Sequence, residues 1–252
     1  MTTAERRAKL YEMLQKEKEL DVTYIRDFFG VSAVTVRNDL IALERNSLVT
    51  RQFGKALLRQ NGINDKFESN SIKNLEEKEK IGKYAAKLVR PEESVLIYAG
   101  TTTLQVARYL PEGINLCAVT NSIYIANELK VHQNVKTVFI GGNFNNQTGS
   151  TYGIEAITQL GKFNIDKLFL AVSGIDTQNG VTSDHPFETD INIAMIERAR
   201  EVIVVADHTK IGKVHFTTIG CLDKISKIIT DTKAPVAEVE AFRKRGIDVV
   251  TV

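Results

Sequence analysis

The sequence predicts an α/β protein in two parts, a small N-terminal unit of three helices and a hairpin followed by a larger, mostly parallel sheet. Three observations carry this. Apolar residues recur at helical spacing through the first quarter of the chain, and that quarter holds the basic excess: 11 Lys and Arg against 8 Asp and Glu in residues 1–60, within totals of 33 and 31. From Ser94 onward, short apolar runs alternate with helix-length segments.

The first helix, roughly Thr3 to Lys18, places Leu10, Tyr11 and Leu14 on one side, and a second, near Val22 to Phe29, carries Ile25 and Phe29. Gly30 supplies a turn. Ser32 is a natural N-cap for a third helix in which Val36, Leu40 and Leu43 form a buried stripe, while Val34, Arg37, Asn38, Ile41 and Arg45 face the other way. "SLVTRQFGKALLR" then reads as two β-prone runs joined around Phe53 and Gly54, and three helices with a hairpin make a winged helix-turn-helix. The polar stretch Gln60 to Asn74 reads as a linker with little to bury, its core at 61–74, and a helix with Glu76/Lys80 and Glu79/Lys83 pairs follows, stopping near Pro91.

The runs "SVLIYA", "NLCAVT", "VKTVFI", "DKLFLAVS", "EVIVVA", "SKIIT" and "IDVVTV" alternate with "TTTLQVARYL", "SIYIANELK" and "ETDINIAMIERAR", the pattern of βαβ units over residues 75–252. "NFNNQTGS", after Gly142, reads as a mobile loop.

Composition narrows the function classes. At 252 residues, 43% hydrophobic and 25% charged, the chain has the balance of an ordinary globular protein. With no apolar run long enough to span a bilayer and no apolar leader after "MTTAERRAKL", a cytoplasmic protein without membrane contact is expected. Cys117 and Cys221 suggest reduced structural thiols, and His132, His185, His208 and His215 lack metal-ligand spacing, so no metal and no cofactor is expected.

The outward face of the third helix has the chemistry of base reading. Arg can bond guanine O6 and N7, and Asn can bond adenine N6 and N7, so Arg37 and Asn38 supply both kinds of donor. Val34 or Thr35 can touch a thymine methyl, with Ser32 and Arg45 at the helix ends, while Arg51, Lys55 and Arg59 can neutralise phosphates of double-stranded DNA. The alternative is a solvated basic face or a winged helix that binds protein.

"ERRAKLYEML", "VSAVTVRNDLIALERNSLVTRQFGKAL" and then "AGTTT", "VTNS", "GGN", "SGID" and "VVADHTKIGK" occur in one order, and with them the chain resembles the DeoR family of bacterial transcriptional regulators from about Ala4 to Val252. The resemblance implies a winged helix joined to a Rossmann-like domain, ribose 5-phosphate isomerase-like in fold, that senses a sugar phosphate. A repressor of a carbohydrate catabolic operon is the function it implies.

The strand ends support a polar ligand. Gly100 to Thr103, Asn121 in "TNS", Gly141 and Gly142, Ser173 and Gly174, and Asp207 with Lys210 all follow apolar runs, where an open α/β sheet has its crevice. In "GTTT", Gly100 lets backbone approach, and Thr101, Thr102 and Thr103 offer hydroxyls and N–H groups at a helix N-terminus, where an anion is favoured. Those threonines can also merely cap the helix, Lys210 can be a solvated loop lysine, and Asp207 can be a turn former.

Three positions depart from the family pattern. Tyr98 stands where many members carry Asp, Asn192 where many carry Lys, and Lys55 follows Gly54 where the wing usually has paired glycines. The alternative function, a phosphosugar isomerase with an added winged helix, needs a carboxylate base and a group to stabilise an enediolate. Tyr98 and Asn192 count against it. One winged helix reads only a short half-site, so a homo-oligomer, dimer or tetramer, is expected.

Overall fold

The computed structural model describes residues 1–45, 48–59 and 65–252, which divide into the units Met1–Leu75 and Glu76–Val252. In the first unit, helix α1 (Thr3–Glu17) opens with a reciprocal cap: the Thr2 hydroxyl accepts from the Glu5 N–H, and the Glu5 carboxylate accepts from the Thr2 N–H. Strand β1 (Glu19–Asp21) leads into α2 (Val22–Phe29), capped by the Asp21 carboxylate and closed by Gly30 at φ +60°. Helix α3 (Ala33–Arg45) is capped by Ser32, whose hydroxyl accepts from the Thr35 N–H at 3.1 Å. Strands β2 (Val49–Gln52) and β3 (Lys55–Leu58) form an antiparallel hairpin whose turn residues, Phe53 and Gly54, both have positive φ, as a twisted two-residue hairpin turn requires. With β1 the sheet order is β1-β3-β2, and Leu10, Leu14, Ile25, Val36, Leu40, Leu43 and Val49 fill the core beneath.

The stretch expected to be a linker holds instead a helix, α4 (Asp65–Ile72), packed on α1. Phe67, Ile72 and Leu75 are buried, and the Tyr11 hydroxyl donates to the Glu68 carboxylate at 2.5 Å. Residues 60–64 of that expectation lie outside the described residues.

Helix α5 (Leu75–Ala86) starts at the last residue of the first unit and continues as the opening of the second. The seven apolar runs become β4 (Ser94–Ile97), β5 (Leu116–Thr120), β6 (Val135–Phe139), β9 (Ile165–Leu170), β12 (Ala199–Val205), β14 (Lys227–Thr230) and β15 (Asp248–Thr251), all paired in parallel in the order β15-β14-β12-β9-β4-β5-β6. Helices α6 (Thr101–Arg108), α7 (Ile123–Leu129), α8 (Ile154–Leu160), α9 (Thr189–Arg198) and α10 (Val236–Lys244) lie between them in sequence. Leu96, Leu168, Leu170, Val202, Val204 and Ile228 of the sheet pack with Leu160, Met195, Ile196 and Phe242 of the helices. The five inner strands are buried on both faces and read as continuous apolar runs, whereas the edge strands β6 and β15 are largely open and were legible from their β-prone residues.

Shorter strands were not. The segment expected to be a mobile loop forms most of the hairpin β7 (Asn143–Asn145) and β8 (Ser150–Tyr152), its turn shaped by the Asn145 carboxamide accepting from the Gln147 N–H and by Gly149 at φ +66°. Likewise β10 (Gly174–Asp176), β11 (Gly180–Ser183) and β13 (Thr217–Gly220) make a small antiparallel sheet from polar sequence.

The chain order fixes where a ligand crevice belongs. From β4 the chain moves outward through β5 and β6, then returns to the other side of β4 as β9 and continues to β12, β14 and β15. The reversal lies between β4 and β9, and open α/β sheets bind ligands beyond the carboxyl ends of the strands at that point.

Candidate functional site

On the first unit, α3 presents the face anticipated from its spacing. Val36, Leu40 and Leu43 are buried, while Ser32, Val34, Arg37, Asn38 and Arg45 are exposed and Thr35 is half-buried beside its cap. A carboxylate fixes the helix from behind: Asp39, only 2% exposed, accepts from Arg6 Nε at 2.6 Å and Arg7 Nε at 2.9 Å, tying α3 to α1. The sequence held a signal for it, since Asp39 interrupts an apolar stripe that nothing else polar enters.

The wing cations are less open than their sequence suggests. Arg51 pairs with Glu44 of α3, which also accepts from the Arg51 N–H, so the wing is pinned to the recognition helix. That hydrogen bonding to Arg51, ahead of the opposing effect of burial, holds the Glu44 carboxyl below its usual range. Lys55 pairs with Glu19 of the adjacent strand at 2.8 Å, which raises its pKa, and Arg59 is exposed just past β3. Both pairs are exposed enough to exchange a carboxylate for a phosphate at little cost. At the wing tip the Phe53 ring is fully exposed.

On the second unit, the eleven effector candidates follow five contiguous strands, β6, β5, β4, β9 and β12. Strands in a sheet lie about 4.8 Å apart, so the outermost of these are separated by roughly 19 Å. One small sugar phosphate therefore does not touch them all.

Hydrogen bonding separates those that brace the fold from those that stay open. Asn121, fully buried, accepts from the Ala99 N–H and donates to the Thr151 carbonyl. The Gly141 N–H donates to Gln159, and Gly142, at φ +142°, has no room for a Cβ against the Tyr152 carbonyl. Ser173 donates to Asp184, and Gly174 lies against the Lys213 carbonyl. The Thr103 hydroxyl donates to the Tyr98 and Gly100 carbonyls. Asp207 caps the short helix His208–Lys210 through the Thr209 N–H; burial alone would raise its carboxyl, but the charge of Lys78, the Thr209 hydrogen bonds and Lys210 outweigh it and leave it below the usual range.

Gly100 serves packing. A Cβ there would lie 2.4 Å from the Ala171 Cβ, so the glycine lets the turn after β4 close against the end of β9 at the reversal point. The same closeness leaves the start of α6 without a side-chain cap. The N–H groups of its first turn, with the hydroxyls of half-buried Thr101 and buried Thr102, are the polar groups left at the crevice, and half-buried Lys210 stands at the end of β12.

Beside this turn lies a cluster that sequence reasoning missed. Glu188, fully buried, accepts four hydrogen bonds: from Tyr98 Oη at 2.7 Å on one oxygen, and from Asn145 Nδ2, Thr148 Oγ1 and Ser150 Oγ at 2.7, 2.7 and 2.8 Å on the other. Burial first, and then the charge of Glu188, pushes the Tyr98 phenol well above its ordinary range. Asn192, also fully buried, makes a weak contact with the Tyr98 hydroxyl that opposes the rise of the phenol, and neither amide atom has a partner at full hydrogen-bond geometry among the described residues. Two of the three family departures thus meet in one cluster. Glu188, saturated by donors, is poorly set to act as the base an isomerase needs. Among the described residues no group of three or more His, Cys, Asp and Glu side chains is placed to hold a metal ion, and no helix is long and apolar enough to cross a membrane.

Comparison with known proteins agrees with both units. The chain is 31% identical over 253 residues to the HTH-type transcriptional regulator YulB of Bacillus subtilis, covering 100% of this chain and 98% of that one. It is 27% identical over 247 residues to the glycerol-3-phosphate regulon repressor of Escherichia coli, covering 98% of each. Among solved structures, ribose 5-phosphate isomerase A of Methanocaldococcus jannaschii aligns over 54% of each chain with 17% identity and a TM-score of 0.40. Residues 6–61 match the DeoR-like helix-turn-helix domain and residues 73–232 match the DeoR C-terminal sensor domain, so the chain belongs to the DeoR family of transcriptional regulators and is a DNA-binding regulator, not an enzyme.

Proposed function

We propose that the protein represses a carbohydrate catabolic operon and that a phosphorylated sugar or related intermediate, bound at the reversal point of the parallel sheet, changes its affinity for the operator. The observation that carries this is the uncapped start of α6 at Gly100–Thr103: anion-binding N–H groups lie at the one place where the topology opens a crevice. A relative named for a glycerol-3-phosphate regulon supports a phosphorylated effector.

In this reading Arg37 and Asn38 read base edges, with Ser32, Val34, Thr35 and Arg45 alongside, and Arg51, Lys55 and Arg59 hold phosphates. Residues 1–60 serve as the DNA-binding domain and 75–252 as the effector-sensing domain. Thr101 and Thr102 hold the effector phosphate and Lys210 adds a cation. The remaining effector candidates shape the crevice from behind. A homo-oligomer places two such units on repeated half-sites. An effector acts only through unequal affinity for the DNA-competent and incompetent states, with a coupling of about 1 to 3 kcal/mol.

A thermal-shift screen against phosphorylated sugars, followed by footprinting of the protein's own upstream region with and without the hits, tests this. A phosphosugar that raises the melting temperature and changes the footprint is expected. A footprint indifferent to every stabilising phosphosugar excludes the effector role.

A further inference from the structure

Among the described residues, Asn192 is the one buried side chain with both polar atoms lacking a partner at full hydrogen-bond geometry, its contact with the Tyr98 hydroxyl being weak, and it sits among buried Ile191, Met195 and Ile196. A buried amide without partners loses its hydration and gains nothing in exchange, so a leucine of similar volume would suit the position better. An amide kept at such a cost has a partner missing from the ligand-free protein.

We propose that the Asn192 carboxamide reads the hydroxyl-bearing carbon chain of the effector, while the phosphate end rests on the start of α6. This rests on the phosphorylated-effector reading above. Two independent features assign the ends. Asn192 follows Glu188 by one helical turn on α9, Glu188 accepts from the Tyr98 hydroxyl, and Tyr98 is three residues before Thr101, so both subsites belong to the same strand end. Glu188, bonded to that same hydroxyl, makes the Asn192 end unfavourable for an anion, whereas the first turn of α6 favours one. Asn192 Oδ1 accepts from one hydroxyl and Nδ2 donates to its neighbour, a pairing that an amide makes with a vicinal diol and not with phosphate oxygens alone.

The test uses the full chain. D-ribose 5-phosphate, D-glucose 6-phosphate and sn-glycerol 3-phosphate are each compared with inorganic phosphate by thermal shift and calorimetric titration, in wild type and Asn192→Leu. Leu is expected to raise the melting temperature of the ligand-free protein by roughly 3 to 6 °C, since an orphaned amide is replaced by packing. It is also expected to abolish the affinity that a phosphosugar gains over inorganic phosphate, a loss of about tenfold or more, while leaving phosphate binding as in wild type. A Leu variant less stable than wild type, or one that keeps the phosphosugar gain, overturns the inference. Asn192→Ala adds no volume and repeats the ligand measurement free of crowding; the gain retained there overturns it as well. A wild type that neither phosphate nor any of the three esters stabilises fails differently, removing the effector reading and this inference with it.

Discussion

The Tyr98 hydroxyl donates to Glu188 at 2.7 Å across a fully buried contact, joining the end of β4 to the start of α9. Its donor is the only one on that carboxylate oxygen among the described residues, the other oxygen taking three. Tyr98→Phe should therefore cost about 1.5 to 3 kcal/mol, read by chemical denaturation near neutral pH. The pH dependence has a definite sign. The folded state holds the phenolic proton above the ordinary value of 10.0, where the unfolded chain releases it. Tyr98's contribution is thus full below about pH 10 and is lost as pH rises beyond it. The Phe variant should lose less stability than wild type between pH 9 and about 11; parallel alkaline limbs would show that Tyr98 does not titrate differently in the fold.

Asp39 holds α3 through two arginines whose side chains are 11% and 14% exposed. Removing the carboxylate takes this shared acceptor from both arginines near the core, and Asp39→Ala should destabilise the first unit by about 3 kcal/mol, at the low end of what breaking a buried pair costs. Operator affinity should fall with it, because the angle of α3 is no longer fixed. A variant with wild-type denaturation and wild-type binding would leave the clamp without a role.

Reading and neutralising residues should separate by sequence dependence. Arg37→Ala should cost about 1 to 3 kcal/mol on the operator and relax base preference, since a bidentate base contact is lost. Lys55→Ala should weaken binding to all sequences alike and reduce the salt slope by about 0.9, the share of one phosphate contact. The Glu19 pair adds a counterpart: Glu19→Gln releases Lys55 and removes a negative charge from the wing, so affinity should rise on operator and random DNA equally. Filter binding across a salt series decides; a sequence-selective effect at Lys55 or Glu19 contradicts the phosphate assignment.

How far the sequence could be read follows from where each interaction gets its partners. Helices α1 to α3 bury side chains at helical spacing and the five inner parallel strands bury continuous apolar runs, so the pattern of apolar residues revealed them. Helix α4 escaped because its anchors, Phe67 and Ile72, sit in polar sequence and its partner Tyr11 lies 57 residues from Glu68. The strands β7, β8, β10, β11 and β13 are short and pair through backbone groups, which leave little trace in side-chain polarity. At the site, "GTTT" was visible as a motif, yet the division of labour within it was not. Thr103 looks like its two neighbours in sequence, and only the turn geometry shows its hydroxyl committed to Tyr98 and Gly100. Glu188 resembles any acid at a helix start until Asn145, Thr148 and Ser150 close over it from some forty residues away.

The geometry of that turn decides how its role is tested. A valine at Gly100 would place its Cβ 2.4 Å from the Ala171 Cβ, so Gly100→Val breaks the packing of β4 on β9 and says nothing specific about a ligand. Thr103→Ala is no better, since it removes two hydrogen bonds that hold the turn. Thr101 and Thr102 head the uncapped helix without bracing that turn, so the double change Thr101→Ala with Thr102→Ala leaves its hydrogen bonds intact. Each hydroxyl bonded to a phosphate is worth roughly 1.5 to 3 kcal/mol, and their joint loss should weaken effector binding by an order of magnitude or more. Operator binding without effector should stay at the wild-type level, because the residues proposed to read DNA belong to a separate unit with its own core. The double variant should therefore occupy its operator regardless of effector concentration. Titrating one labelled operator with wild-type and variant protein, each with and without the phosphosugar found by thermal shift, measures both quantities at once. A folded variant whose operator affinity still responds at the wild-type effector concentration would move the phosphate away from α6, and Lys210 at the end of β12 would then be the cation to replace.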